Sequence, residues 1–149
     1  MLQYIGHRLS CDGVSFAIPD GFYLDGETDE GVESGLSLLS PDHTYRLDIG
    51  IEHFVHSAPK ELANVLGETG FQVLVDIQSV TVNGLLGYYA AYSSKLRQYY
   101  EVRFDLREDP NGTVSLVILI STDQSLIPVQ KLMSVVHSID PRPVLQPFS

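Results

Sequence analysis

Val114-Ser115-Leu116-Val117-Ile118-Leu119-Ile120 is apolar at every position but one. The run is short for a helix, rich in β-branched residues, and lacks the polar alternation of a strand with one wet face. It therefore reads as a strand in the interior of a sheet, shielded on both sides by other layers. Immediately upstream, Tyr100, Val102, Phe104 and Leu106 alternate with Glu101, Arg103 and Asp105, the period of a half-buried strand. Asp109-Pro110-Asn111-Gly112 turns the chain between the two segments. Further out, Phe71, Val73, Val75 and Ile77 begin an extended run that continues to Val82, and Leu85 to Ser93 returns. Asn83-Gly84 joins them as a tight hairpin turn, since both of its positions require positive φ. Four successive antiparallel strands follow from these signals.

The N-terminal half adds further strands and one helix. Arg8 to Ile18 reads as a hairpin about Asp12-Gly13, with Val14, Phe16 and Ile18 alternating. From Asp20 to Glu33 the chain carries six carboxylates, three interleaved glycines and no basic residue, which reads as an acidic loop. Gly35 to Ser40 forms a short strand, and Pro41-Asp42-His43-Thr44 a turn. Tyr45, Leu47, Ile49 and Ile51 then alternate with Arg46, Asp48, Gly50 and Glu52. Ser57-Ala58-Pro59 is a helix start with a hydroxyl at the cap and proline in the first turn. Ala58, Leu62, Val65 and Leu66 share one face, and Gly67 or Gly70 ends the helix. A second helix runs from about Ser125 or Pro128 to Ile139, with Val129, Leu132, Met133, Val136 and Ile139 on one stripe. Pro141, Pro143 and Pro147 leave an extended tail over 141–149. There is no internal repeat, so residues 1–149 read as a single α+β domain.

The bulk properties narrow the function. The chain has 149 residues, 44% hydrophobic and 19% charged, with a formal net charge of -10. An acidic surface repels phosphate backbones and anionic lipid, so neither nucleic acid nor membrane is an expected partner. Cys11 is the single cysteine, so no intrachain disulfide forms. Without an apolar leader or a run of membrane-span length, the expected location is cytoplasmic.

No assembled catalytic constellation is visible. Gly13-Val14-Ser15-Phe16-Ala17 has the spacing of a nucleophile elbow, but the strand continues past Ser15 instead of turning into a helix. Cys11 stands beside Asp12, which raises a thiol pKa, and reads as a small buried apolar group. Nothing implies a cofactor. Two weak metal candidates exist. Asp25-Gly26-Glu27-Thr28-Asp29 resembles the start of a calcium loop, yet Glu30 and Leu36 stand where that loop requires Gly and Glu. His53 and His56 lie three apart, which in extended chain places them on opposite faces.

The tyrosines are more suggestive. Tyr88, Tyr89, Tyr92, Tyr99 and Tyr100 crowd the two arms of one hairpin. Tyr88 and Tyr92 share a face, and Tyr99 shares one with Glu101, Arg103 and Asp105, which reads as polar and partly exposed. Tyrosine buries area at low entropic cost and keeps a hydroxyl, so such a cluster favours protein contact. The competing reading is cross-strand aromatic packing beneath a helix. The sequence therefore points to a non-enzymatic module that engages a protein partner through Tyr88, Tyr92, Tyr99 and Arg103, or through the acidic loop. A divalent-cation site on that loop or on His53 and His56 is the alternative. The oligomeric state is not legible.

Val14-Ser15-Phe16-Ala17-Ile18-Pro19-Asp20-Gly21-Phe22, Val82-Asn83-Gly84-Leu85-Leu86-Gly87-Tyr88, Tyr99-Tyr100-Glu101-Val102 and Val135-Val136-His137-Ser138-Ile139 follow one another in the order seen in PsbP-like proteins. The chain resembles that family from Val14 to Asp140. The family includes the photosystem II PsbP proteins, a Ran-binding import factor and many bacterial proteins. The resemblance implies a curved antiparallel sheet of about six strands sandwiched between helices, with no shared catalytic residues. Family members often carry a secretion signal, which is not seen here.

Overall fold

The computed structural model describes residues 3–5, 8–11, 14–30, 33–82, 84–123 and 129–143, excepting the side chains of 3–11, 27–34, 129, 132 and 140–143. In chain order the elements are β1 (Gln3–Ile5), β2 (Arg8–Cys11), β3 (Val14–Ala17), β4 (Tyr23–Glu30), β5 (Glu33–Leu39) and β6 (Arg46–Phe54). Helix α1 (Ala58–Leu66) follows. Then come β7 (Gln72–Val82), β8 (Leu85–Ser93), β9 (Gln98–Asp109), β10 (Gly112–Thr122), α2 (Val129–His137) and β11 (Asp140–Pro143).

The strand holding Val114–Ile120, β10, is the middle member of a seven-stranded sheet ordered β4-β5-β6-β10-β9-β8-β7. Every described pairing in it is antiparallel. Leu116, Ile118 and Ile120 face Ile51, Ile49 and Leu47 of β6 on one side and Phe104, Val102 and Tyr100 of β9 on the other. All nine are buried, each aliphatic contributing about 1.5–3 kcal/mol relative to exposure. The same core takes in Val14 and Phe16 of β3, Val136 of α2, and Ile139. This face is thus covered by α2 and by a second sheet, ordered β1-β2-β3-β11.

The opposite face carries Ser115, Val117, Leu119 and Ser121 of β10. Helix α1 lies across β7, β8 and β9, with Ala58 and Leu62 fully buried. Ser115 donates to Asp105 at 2.7 Å, and Ser121 accepts from Arg97 Nη2 at 2.9 Å, so both are buried without loss. Val117 and Leu119 are only half-buried.

The expected architecture is therefore corrected in three places. The main sheet has seven strands rather than about six, and the molecule is not a sheet sandwiched between helices. Among the described residues there are two helices of nine residues each, and much of the cover on the core face is a second sheet. The reason lies in the short strands that build that sheet. Strand β1 has three residues, and β11 contains Pro141 and Pro143 within the segment read as a tail. Proline cannot donate to a ladder, but β11 is an edge strand, where the missing N–H is tolerated.

The acidic stretch is the third correction. It is a strand, β4, paired with β5 as an antiparallel hairpin and bulged between Leu24 and Gly26. Its charges and glycines hid the strand period. On an edge strand, charge and a bulge are devices that discourage pairing with other chains. Two expected turns, Asp12-Gly13 and Asn83, lie outside the described residues. Gly84 is described and has the left-handed φ of 83° that its turn requires.

The turn between β5 and β6 is held by its own side chains. Asp42 accepts the Thr44 N–H at 3.0 Å and the Ser40 hydroxyl at 2.8 Å, and Ser40 Oγ accepts the Tyr45 N–H at 3.0 Å. The Thr44 N–H, followed by Ser40, lowers the Asp42 carboxyl from 3.8 to about 2. A carboxyl depressed in the folded state stabilises the fold above its unfolded value and loses that contribution as pH falls through the folded one. Thermal melts of the wild type and Asp42→Asn should thus differ most above pH 3.8 and converge as the pH approaches about 2. A melting difference independent of pH would assign the turn's stability to neutral hydrogen bonds instead.

Candidate partner-binding face

Strands β8 and β9 form a hairpin whose register sets Tyr88 against Arg103, Ala90 against Glu101, and Tyr92 against Tyr99. Tyr88, Tyr92, Tyr99 and Arg103 consequently share the face opposite the core, while Tyr89 pairs with Val102 on the core side. The alternation in the sequence places them correctly. It does not anticipate their burial.

The expected polar and partly exposed row is buried in its middle. Glu101 is 3% exposed and Arg103 8%. Two charges leave water at a cost that only close pairing offsets. Glu101 accepts Arg103 Nε at 2.5 Å on one carboxylate oxygen and the Tyr92 hydroxyl at 2.8 Å on the other. The Arg103 guanidinium also lies 4.7 Å from the Phe54 ring centroid, a cation–π contact from β6. Burial, and then the Glu101 carboxylate, push the Tyr92 phenol above its ordinary value, so Tyr92 remains a neutral donor to that carboxylate. Asp105 continues the row and accepts the Ala58 N–H at 3.0 Å. Ser57, the expected hydroxyl cap, makes no side-chain cap bond. Helix α1 is capped instead by a carboxylate 47 residues away in sequence, which ties the helix to this face.

Toward the turn at 94–97 the face becomes aromatic and opens. Tyr92 and Tyr99 stack at 5.0 Å between centroids and 17° between planes. Phe71 meets them edge-on, at 4.9 Å from Tyr92 and 5.9 Å from Tyr99. Tyr92 is buried, whereas Phe71, Tyr88 and Tyr99 are half-buried. Beside them, Val73 is 44% exposed and Leu96, at the tip of the turn, 80%. Phe54, Phe71 and Leu96 are contributors that the sequence reading does not single out, and Glu101, read as partly exposed, is buried. Phe71 joins through the β7–β8 register, which two irregularities between Val73 and Gln78 make unreadable from sequence.

The weak metal candidates do not converge. Asp25 faces Arg46 across the β4–β6 side of the sheet at 3.6 Å. The side chains of Glu27 and Asp29, like that of Cys11, lie outside the described residues. His53 Nε2 is 3.0 Å from Asp109, a hydrogen bond that leads the depression of the Asp109 pKa. His56 is exposed and gives its backbone N–H to Glu61. Among the described residues no group of three or more His, Cys, Asp and Glu could hold a metal ion. Ser15 lies within β3, opposite Ser10, in regular extended chain. No helix among the described residues is long and apolar enough to cross a membrane.

Removing one partner of the Glu101–Arg103 pair leaves the other charged and buried. Arg103→Met should destabilise the protein by about 3–5 kcal/mol in urea denaturation, and adding Glu101→Leu should restore most of that loss. Equal, additive costs for the two substitutions would contradict a coupled buried pair.

No family model matches the chain, and no curated protein matches it. Among solved structures it is similar to the apo structure of immunity protein TplEi of T6SS from Pseudomonas aeruginosa, with 14% identity and a TM-score of 0.51 over 94% of this chain and 51% of that one. Against the structure of the same protein complexed with "L" peptide the values are 16% identity and a TM-score of 0.47, over 95% and 56% of the two chains. At this identity the likeness to the apo structure is one of fold, and the chain spans about half the length of the protein it resembles.

Proposed function

We propose that the chain is a protein-binding module that engages its partner through the open end of the Tyr88, Tyr92, Tyr99 and Arg103 face. The observation that carries this reading is the combination of exposed apolar side chains with aromatic rings that are already immobilised. Val73, opposite Tyr92, and Leu96, in the adjoining turn, are exposed, and the rings of Tyr99 and Phe71 are held against Tyr92. Tyr92 is in turn anchored by the buried Glu101–Arg103 pair. Binding energy at protein interfaces concentrates in such preorganised aromatic anchors, because little side-chain entropy remains to be lost on docking. A shared fold with a protein described as an immunity protein supports a binding role. The net charge of -10 suits a partner whose rim is basic. The proposal assigns no catalytic step to the chain.

The test is affinity capture, followed by calorimetric titration of each purified captured protein with the wild type and three variants. Tyr99→Ala and Leu96→Asp should each weaken a specific partner at least tenfold, with Asp25→Asn on the edge hairpin unchanged. Wild-type affinity in both face variants would exclude this face as the docking surface.

A further inference from the structure

On the core side of the sheet, away from the face just described, lies an apolar cavity of about 160 Å³. Val80 and Val82 of β7, Val102 and Phe104 of β9, and Ile118 of β10 form its floor. Val136 and His137 close it from the end of α2, with Ile139 beside them. Val80, Val82 and His137 are the incompletely buried members of this lining, so the mouth lies between the edge strand β7 and the end of α2.

The sequence builds this space with one glycine. In the cross-strand row Val80–Gly87–Phe104, the central position has no side chain on the core face. The Phe104 ring leans over it, so closely that a Cβ on Gly87 would stand 2.6 Å from the ring. The missing side chain at Gly87 thus leaves the ring a place beside β8. The single polar side chain in the lining is already engaged. Tyr100 Oη and His137 Nε2 are 2.8 Å apart, and the imidazole packs edge-on to Tyr89 and Tyr100. Partial burial also lowers the His137 pKa below its ordinary value. Among the described residues no charged side chain lines the space.

A wall of aliphatic and aromatic carbon cannot hold water by hydrogen bonds, and a cavity of roughly 150 Å³ lined in this way takes up benzene or xenon. A charged ligand would lose its hydration without compensation. We propose that this cavity is a binding site for a small uncharged apolar molecule, one aromatic ring or the equivalent length of alkyl chain, entering beside His137.

The test is methyl-detected NMR of the full chain titrated with benzene, and separately with benzoate, a ring of the same size carrying a charge. Benzene should shift the methyl signals of Val80, Val102, Ile118 and Val136 saturably, with benzoate at least tenfold weaker. Ile118→Phe and Val80→Phe fill the space and should each weaken benzene at least tenfold. Val80 lies on the edge strand and is half-exposed, so its variant serves where a core substitution at Ile118 disturbs folding. No saturable shift with benzene, equal binding of benzoate, or undiminished benzene binding in a folded filled variant would each overturn the proposal.

Discussion

Leu116, Ile118 and Ile120 must leave water on one side of β10, and the strands on both flanks are arranged to let them. Tyr100, Val102 and Phe104 of β9 and Leu47, Ile49 and Ile51 of β6 continue the same rows. The result is an apolar floor three strands wide, and such a floor requires a roof. The N-terminal hairpin, α2 and β11 supply it. Everything else in the molecule is placed relative to that floor. The outer strands β4 and β7 end the sheet, and α1 lies on the far side against β7, β8 and β9.

The far side obeys a different rule. Its central row is polar, and its buried groups gather on two carboxylates: Tyr92 and Arg103 Nε on Glu101, Ser115 and the start of α1 on Asp105, while Arg103 Nη1 is buried without a hydrogen bond. Such a network specifies one arrangement where an apolar layer would allow several. Its consequence is rigidity at the aromatic end, which a docking surface needs. The core side shows the converse. There about 160 Å³ beside β7 and the end of α2 is left unfilled by side chains.

The strands β6 and β8 to β10 and both helices are legible from apolar patterning and turn signals, although burial itself alternates only in β6. The central position of β10 followed from its unbroken apolar run. What was hidden had local chemistry at odds with its structure. Proline in β11 and clustered carboxylates in β4 are signals against strands, and only their edge positions make them tolerable. At the candidate site, alternation correctly grouped Tyr88, Tyr92, Tyr99 and Arg103. The burial of Glu101 and Arg103 depends on α1 lying over them and on Phe54 arriving from β6, contacts that no local pattern encodes. Phe71 entered for the same reason, through a pairing register shifted by irregularities.

The interior strands β9 and β10 hold the aromatic end in place as one cooperative unit. Native-state hydrogen exchange tests it most directly. The amides of Tyr100 to Phe104 and Leu116 to Ile120 should exchange only through global unfolding, with a shared dependence on denaturant, while those of the edge strands β4 and β7 exchange through smaller openings. Exchange of the β9 amides by local opening, at the rate of the edge strands, would contradict a preorganised face.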